Sequence, residues 1–274
     1  MPELPEVETI RRGLEPEVIG RSFVDIRVRN SKLRLKADGT ALRRALVDSK
    51  IIAVGRRSKY LMLDVDRGYT LIVHLGMSGQ FQLEPGDREL RKHDHVQFLL
   101  DDGRELRFHD PRRFGLVVVR SRRTLDRDPL FCQLGPEPLA ESCDHLYYFE
   151  RSRGKQRNVK SFLMDSSVVV GVGNIYANEA LFLASIHPTR AAGRISVERW
   201  QKLDFELRGV LSRAIKAGGT TLSDYRNATG ESGRHQNALL VYGRSQQPCP
   251  RCKTSIRRIV QQQRASYYCP SCQH

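Results

Sequence analysis

The chain has 274 residues and a mass of 31.3 kDa, which is enough for two domains. Hydrophobic residues make up 39% and charged residues 28%, a balance that is typical of a globular protein and excludes a disordered chain. The sequence contains no apolar run of about eighteen residues, so no transmembrane helix is expected. Its acidic start, MPELPEVE, is unlike a secretory signal peptide.

Positive charge is concentrated in the second half of the chain. The formal net charge is +15, and the isoelectric point is about 9.9. Residues 1–150 contain 26 basic and 24 acidic side chains, whereas residues 151–274 contain 20 and 7. A solvated basic surface is one interpretation. The asymmetry favours a polyanionic partner, and we expect nucleic acid bound by the C-terminal half.

The first half of the chain predicts many short strands and little helix. Apolar periodicity predicts helices over 5–14 and 40–48. Alternating or continuous apolar runs predict strands over 24–28, 51–54, 60–65, 69–75, 95–100, 105–108 and 116–119. Asp102-Gly103 is a typical hairpin turn between two of them. This pattern indicates a β-sandwich or barrel.

The pattern changes after a linker-like segment, GPEP, at 135–138. Helices are predicted over 174–186 and 197–217, the second closed by two glycines. The polar stretch 223–238 predicts a mobile loop, and strands and turns follow it. The second half is therefore expected to be helical until its last thirty or so residues.

Four of the six cysteines form two Cys-x2-Cys pairs separated by sixteen residues. Two such turns facing each other supply the four thiolates of a tetrahedral zinc site. Four buried free thiols are the alternative, which two matched pairs disfavour. The intervening segment is expected to form a β-hairpin, and a four-sulfur site leaves no open position for chemistry. The predicted structural ligands are Cys249, Cys252, Cys269 and Cys272.

The N-terminus is the candidate for chemistry. Removal of the initiator methionine would leave Pro2 as a terminal secondary amine, and an α-amino group has a pKa of roughly 7.7–8.0, against about 10.4 for lysine. Such an amine can attack an aldehyde-level carbon and form an iminium ion. Glu3 and Glu6 could move protons beside it. From these residues alone, Pro2 and Pro5 could equally well start a helix whose dipole the glutamates favour.

The chain resembles formamidopyrimidine-DNA glycosylases, a family of bifunctional enzymes that excise oxidised purines. The matching stretches occur in order over nearly the whole chain. They are MPELPEVETIRRGL (1–14), RRSKYL (56–61), HLGMSG (74–79), KHDHV (92–96), DPRRFG (110–115), LGPEPL (134–139), LMD (163–165), VVGVGNIYANEALF (169–182), IHP (186–188), GGTTL (218–222), VYGR (241–244) and the zinc hairpin.

The resemblance implies a catalytic role for the N-terminus. Pro2 would attack C1′ of the damaged nucleotide, displace the base and form a Schiff base, after which β- and δ-elimination cut the strand. Glu3 matches the family's catalytic acid and base, and Glu6 matches a second glutamate of the same pocket. Lys59 matches a lysine that grips phosphate near the lesion; a solvated strand lysine is the alternative.

The resemblance also implies a set of DNA-binding residues. Met77, Arg112 and Phe114 would fill the gap left by the flipped nucleotide, and Arg112 would read the orphaned cytosine. Read alone, Met77 and Phe114 are ordinary core residues. The remaining expected DNA contacts are His74, Lys160, Asn174 as the N-cap of a helix–two-turns–helix motif, and Arg264 at the tip of the zinc finger.

The resemblance implies an α+β fold, in which an N-terminal β-sandwich flanked by helices precedes a helix–two-turns–helix domain and a zinc-finger β-hairpin. The expected domains are 1–134 (catalytic), 135–150 (linker), 151–240 (helix–two-turns–helix) and 241–274 (zinc finger). One structural Zn²⁺ per chain, a duplex DNA partner with oxidised bases or abasic sites, no membrane partner, a monomer and a cytoplasmic, nucleoid-associated location are expected with it.

Two alternatives and one departure stay open at the level of sequence. The sister enzymes of the same fold prefer oxidised pyrimidines and typically begin PEGPE, but Leu4 and PRRFG favour the purine branch. A non-catalytic zinc-ribbon DNA binder is the other alternative, against which the MPELPE start argues. The loop after GGTTL usually carries an aromatic residue before VYGR, whereas His235 and Gln236 occupy that part here, so damage preference is open.

Overall fold

The computed structural model describes residues 2–219 and 239–274, which form two compact units. The first unit comprises residues 2–132 and 217–219, and the second comprises 133–216 and 239–274. The domain boundaries at 134, 150 and 240 stay predictions. Within the described ranges, no helix combines the length and the apolar character that crossing a membrane requires.

The first unit is a β-sandwich flanked by two helices, as predicted. Its helices are α1 (Leu4–Val18) and α2 (Gly39–Leu46). Its strands are β1 (Phe23–Val28), β2 (Ile51–Arg57), β3 (Tyr60–Val65), β4 (Tyr69–His74), β5 (Gln80–Pro85), β6 (Asp94–Leu100), β7 (Arg104–His109) and β8 (Leu116–Ser121). They form two antiparallel sheets in the orders β1-β6-β7-β5 and β2-β3-β4-β8.

Inward-facing apolar residues of both sheets share one core with the buried face of α1. The helix continues beyond its predicted end at residue 14, because Leu14 and Val18 are both fully buried in that core. Strand β5 was not predicted. It lies at the edge of its sheet and ends at Pro85, and an edge is where a strand tolerates proline.

The second unit is helical and ends in a β-hairpin. Its elements are α3 (His145–Ser152), α4 (Val159–Leu163), α5 (Asn174–Leu183), α6 (Val197–Lys216), β9 (Arg257–Gln261) and β10 (Arg264–Tyr268). The short helices α3 and α4 were not predicted; Asp144 and Asn158 cap their first turns. Helix α5 ends before the predicted residue 186, since Ser185 adopts a left-handed φ of 59°. The predicted loop 223–238, with His235 and Gln236, lies outside the described residues.

Candidate active site and nucleic-acid interface

The N-terminal residues of α1 form a buried acidic group. Pro2 is buried, and Glu3 and Glu6 are only 2% and 1% exposed. Glu3 is the N-cap of α1, and its main-chain N–H donates to a carboxylate oxygen of Glu6 at 2.8 Å, as in a capping box. The segment therefore starts a helix, and it also contains two buried acidic side chains within four residues of Pro2. The catalytic role of these residues stays a prediction.

Glu8 joins α1 to strand β2 through an ion pair with Arg56. Glu8 accepts hydrogen bonds from Arg11, Arg12 and, across to β2, from Arg56 at 3.2 Å. Burial opposes ionisation of Glu8, but the Arg11 and Arg12 hydrogen bonds outweigh it, so its pKa lies below the ordinary value. The helix that begins two residues after the candidate nucleophile is thus attached to β2, the strand that leads into the Lys59 turn.

Lys59 lies in the two-residue turn between β2 and β3, not within a strand. Ser58, the first residue of that turn, adopts a left-handed φ of 57°. The turn leads into β3, whose first residue, Tyr60, packs its ring against the His74 ring, with 4.9 Å between the centroids. The cation of Lys59 is close enough to His74 to disfavour a second positive charge there.

His74, the last residue of β4, is a neutral hydrogen-bond donor. Its pKa is lowered to about 3, first because burial disfavours the imidazolium and then because Arg34 and Lys59 lie nearby. The Gly76 N–H donates to His74 Nδ1 at 2.9 Å. A neutral imidazole that accepts at Nδ1 carries its proton on Nε2, so Nε2 is the atom that can donate to a phosphate oxygen.

Two loops, 75–79 after β4 and 110–115 between β7 and β8, are held together by Asp110. This carboxylate is fully buried and accepts hydrogen bonds from Ser78 Oγ (2.9 Å), Gly115 N–H (2.8 Å) and Arg112 N–H (3.3 Å). The loops touch so closely that a Cβ on Gly76 would lie 2.4 Å from the Phe114 carbonyl carbon. Sequence reasoning missed the roles of Asp110 and Ser78, although an aspartate that opens a Pro-containing turn is a known turn former.

The same two loops present three exposed side chains. Met77 is 40% and Phe114 is 48% exposed, unusual values for large apolar residues. The exposed Arg112 guanidinium lies 5.0 Å from the centre of the Phe114 ring. Arg113 between them adopts a left-handed φ of 59°. The structure therefore brings Met77, Arg112 and Phe114 together and does not place the two apolar residues in the core.

In the second unit, the predicted phosphate-binding residues differ in exposure. Gly173 occupies the N-cap of α5, so the prediction of Asn174 as the cap is wrong by one position and Asn174 is the first helical residue. Arg264 is exposed at the start of β10. Lys160 is only 1% exposed, and its ammonium donates to the Ala265 carbonyl at 2.8 Å. Its expected contact with DNA stays a prediction.

The four predicted zinc ligands converge in the second unit. Their Sγ atoms all lie within 4.8 Å of one another, with 4.0 Å between Cys249 and Cys272 and 3.4 Å between Cys252 and Cys269. Tetrahedral zinc with bonds of about 2.3 Å places its sulfur ligands about 3.8 Å apart, so these residues fit one structural Zn²⁺. The metal would hold the chain segments around the hairpin in shape.

Comparisons with known proteins agree with this arrangement. Three family models match the chain. The model of the formamidopyrimidine-DNA glycosylase N-terminal domain matches residues 1–117, and the model of the H2TH domain matches residues 134–226. A model of a zinc finger found in FPG and IleRS matches residues 246–274. The order of these modules defines the zinc-finger class of H2TH DNA glycosylases.

Comparisons with full-length relatives show the family to which the chain belongs. The chain is 50% identical to a formamidopyrimidine-DNA glycosylase of Nitrosococcus oceani over 274 residues and 48% identical to one of Alcanivorax borkumensis over 273, with full coverage of each chain. This chain therefore belongs to the formamidopyrimidine-DNA glycosylase family.

Solved structures of relatives share the fold. A Lactococcus lactis FPG in complex with a Fapy-dG-containing DNA superposes with a TM-score of 0.93 at 32% identity, covering both chains completely. The L. lactis protein with an abasic-site DNA gives 0.92 at 33% identity over 99% of each chain. MutM (FPG) from Thermus thermophilus gives 0.88 at 40% identity, covering 99% of this chain and 98% of the other.

Proposed function

We propose that this chain is a base excision repair enzyme that removes oxidised purines, such as 8-oxoguanine and formamidopyrimidines, from duplex DNA and then cleaves the abasic strand. The observation that carries the proposal is the buried Pro2 beside the buried carboxylates of Glu3 and Glu6. Family membership and the lesion-containing and abasic DNA bound by the L. lactis relative support it.

Base excision begins with Pro2 after removal of Met1. The neutral secondary amine forms a bond to C1′ of the flipped nucleotide, and the glycosidic bond breaks with its electron pair passing to the departing base. The base takes up a proton as it leaves. Glu3, which is buried and close in sequence to the nucleophile, acts as the acid and base around the sugar. Opening of the sugar ring gives an iminium between Pro2 and C1′.

Strand cleavage follows from the same iminium. The cationic nitrogen withdraws electrons and acidifies the C2′ proton, so its removal expels the 3′ phosphate in β-elimination. A second elimination expels the 5′ phosphate, and hydrolysis of the imine releases Pro2. One amine thereby serves both glycosylase and lyase activities. Glu6, bound to the Glu3 main-chain N–H, keeps the start of α1 in place during these steps.

The other predicted residues hold the DNA in the reactive geometry. Met77, Arg112 and Phe114 fill the gap in the base stack, with Arg112 donating to the orphaned cytosine. The remaining contacts are to the backbone: Lys59 and the neutral His74 bind phosphate near the lesion, and Asn174, Arg264 and Lys160 act in the second unit. Zinc supplies no step of the reaction and supports the hairpin.

We propose that the enzyme acts as a monomer, as its resemblance to the family implies, and that it works in the cytoplasm with the nucleoid, because its substrate is DNA. The reduced zinc thiolates that the site requires fit a reducing compartment.

A panel of duplexes tests the function. Each duplex carries 8-oxoguanine, a formamidopyrimidine, an oxidised pyrimidine or an abasic site opposite cytosine or guanine as appropriate, with an undamaged duplex as control. We expect excision and strand cleavage to be fastest with the oxidised purines. Preference for oxidised pyrimidines would favour the sister activity. Binding without any excision or cleavage, including at the abasic site, would contradict the enzymatic function.

A further inference from the structure

Within residues 2–219 and 239–274, no strand pairs with β10 on the side away from β9. Arg264 pairs with Gln261 across the hairpin turn, and the register continues without a shift to Tyr268. Because the hydrogen bonds of an antiparallel pair alternate, the Ala265 carbonyl and the Tyr267 N–H face away from β9. Such unpaired main-chain groups at a strand edge require other partners.

Two buried side chains from neighbouring helices satisfy that edge. Asn178 of α5 accepts the Tyr267 N–H on its Oδ1 at 2.7 Å. Lys160 of α4 donates to the Ala265 carbonyl at 2.8 Å and to Ser266 Oγ at 2.6 Å. Asn178 and Lys160 are each only 1% exposed. The strand that begins at Arg264 is therefore fastened to both helices.

The other end of the Asn178 amide contacts Asn174. Asn178 Nδ2 donates to the Asn174 carbonyl at 2.6 Å and lies 3.4 Å from Asn174 Oδ1. An Asn174 amide whose oxygen accepts from Asn178 is oriented so that its own Nδ2 lies on the opposite side of the group. Nδ2 is the atom that donates to a phosphate oxygen.

We propose that Asn178 is a positioning residue that couples the two phosphate-binding elements of the second unit. One amide group links Asn174, at the start of α5, to the strand that carries Arg264. Lys160 supports the same strand two residues nearer its tip. The proposal rests on the proposed function, since it assumes that Asn174 and Arg264 both bind DNA phosphate.

Rigid linkage has a measurable consequence. If the two elements are fixed relative to each other, one bound phosphate places the second contact in register, and the loss of either contact weakens the other. If the two elements move independently, each phosphate contact carries its own entropic cost of ordering. The factors by which removing each contact weakens DNA affinity then multiply. Asn178 therefore determines whether the two contacts are cooperative.

The experiment is a double-mutant cycle on DNA affinity. Kd is measured for a duplex carrying a tetrahydrofuran abasic analogue, with the full chain, Asn174→Ala, Arg264→Ala and the double variant. We expect the double variant to lose at least about threefold less affinity than the product of the single losses. In an Asn178→Asp background, which keeps an acceptor for Tyr267 but removes the donor to Asn174, the losses should multiply. The exposed Gln201→Ala serves as the matched control and should leave the coupling intact.

A second background, Asn178→Ala, removes both bonds, and zinc content is measured for every variant. Faster amide exchange at Tyr267 is expected in this variant. Multiplicative losses in the unmodified chain, or coupling that survives both Asn178 changes, would overturn the proposal. Loss of zinc or of folding in both backgrounds would also overturn it, since Asn178 would then be a general structural residue. An unmodified chain that fails to bind the duplex would instead contradict the proposed function, on which the coupling depends.

Discussion

The two units differ in the kinds of side chain that they bury and expose. The first unit contains buried acids at the start of α1 and exposed apolar side chains on the loops that Asp110 joins. Most of the second unit belongs to the strongly basic half of the chain, residues 151–274. Clustered cysteines and buried polar groups hold its hairpin. Under the proposed function, the buried carboxylates take part in the chemistry and the exposed apolar side chains fill the gap in the base stack. Phosphate binding requires positive charge on a rigid support.

This comparison predicts that substitutions in the two units have separable effects. Variants of the first unit should lose excision or base reading while DNA is still bound. Variants of the second unit should lose DNA affinity before they lose the capacity for chemistry. Five substitutions test that separation.

Pro2→Gly should reduce excision by at least about a thousandfold, because it removes the secondary amine that forms the iminium. DNA affinity should change little, since Pro2 is buried and binds no phosphate in this account. Single-turnover kinetics and Kd for an abasic-analogue duplex measure the two effects. Undiminished excision would contradict the proposed requirement for the secondary amine of Pro2.

Cys249→Ala should lower DNA affinity by roughly a hundredfold, because loss of zinc releases the hairpin and its phosphate contacts. Zinc content and Kd are measured together. The exposed cysteine variant Cys132→Ala is the matched control and should retain both. Normal affinity in zinc-free Cys249→Ala would separate the metal from DNA binding.

Asp110→Ala should destabilise the first unit by about 2–4 kcal/mol, because its three hydrogen-bond donors lose their common acceptor. Denaturant unfolding measures the change, and the exposed Asp87→Ala provides the control. Excision should fall with Asp110→Ala even where the protein is folded, since the loops no longer hold their relative positions. An unchanged stability would contradict the role of Asp110.

Arg112→Ala should reduce the preference for cytosine opposite the lesion by about tenfold, the effect of one lost specific base contact. Rates of excision with each opposite base measure it. Arg122→Ala removes another exposed arginine and should leave the preference unchanged. Equal discrimination in the two variants would mean that Arg112 does not read the opposite base.

His74 should make stability fall as the pH drops from about 6.5 to 5. Its folded pKa of about 3 lies below its ordinary value, so the unfolded chain binds more protons in this range. We expect His74→Gln to remove about 1 kcal/mol of this pH-dependent loss, a figure reduced because the side chain is partly exposed. Unfolding at pH 7 and pH 5 gives the difference, and identical pH dependence in both proteins would contradict it.

The sequence pattern predicted a β-sandwich or barrel, of which the structure has the sandwich, and it predicted the zinc cysteines. Both predictions depend on local, repeated patterns. Alternation over 60–65 gave the bounds of β3 correctly, and two Cys-x2-Cys pairs indicate a metal without any tertiary information. Edge strand β5 was missed, since its few apolar residues and terminal proline give little pattern. Short helices α3 and α4 were missed for a similar reason, because they depend on single caps and tertiary packing.

The site was predicted through resemblance more than through pattern. Met77 and Phe114 look like core residues in the sequence, and only their exposure distinguishes them. Asp110, Asn178 and Lys160 form hydrogen bonds with residues far away in the sequence. Local sequence patterns therefore do not predict these hydrogen bonds. Long-range hydrogen bonds between buried groups are the information that the fold adds to the sequence.

Trapping the reaction intermediate tests whether Pro2 is the nucleophile. The full chain is incubated with duplex DNA carrying 8-oxoguanine opposite cytosine, borohydride is added, and the covalent adduct is located by peptide mapping and mass spectrometry. We expect reduction of the iminium to a stable adduct at the nitrogen of Pro2, with Met1 absent. An adduct at Lys59 or another lysine, or cleavage of an abasic-site duplex without any trapped adduct, would contradict it.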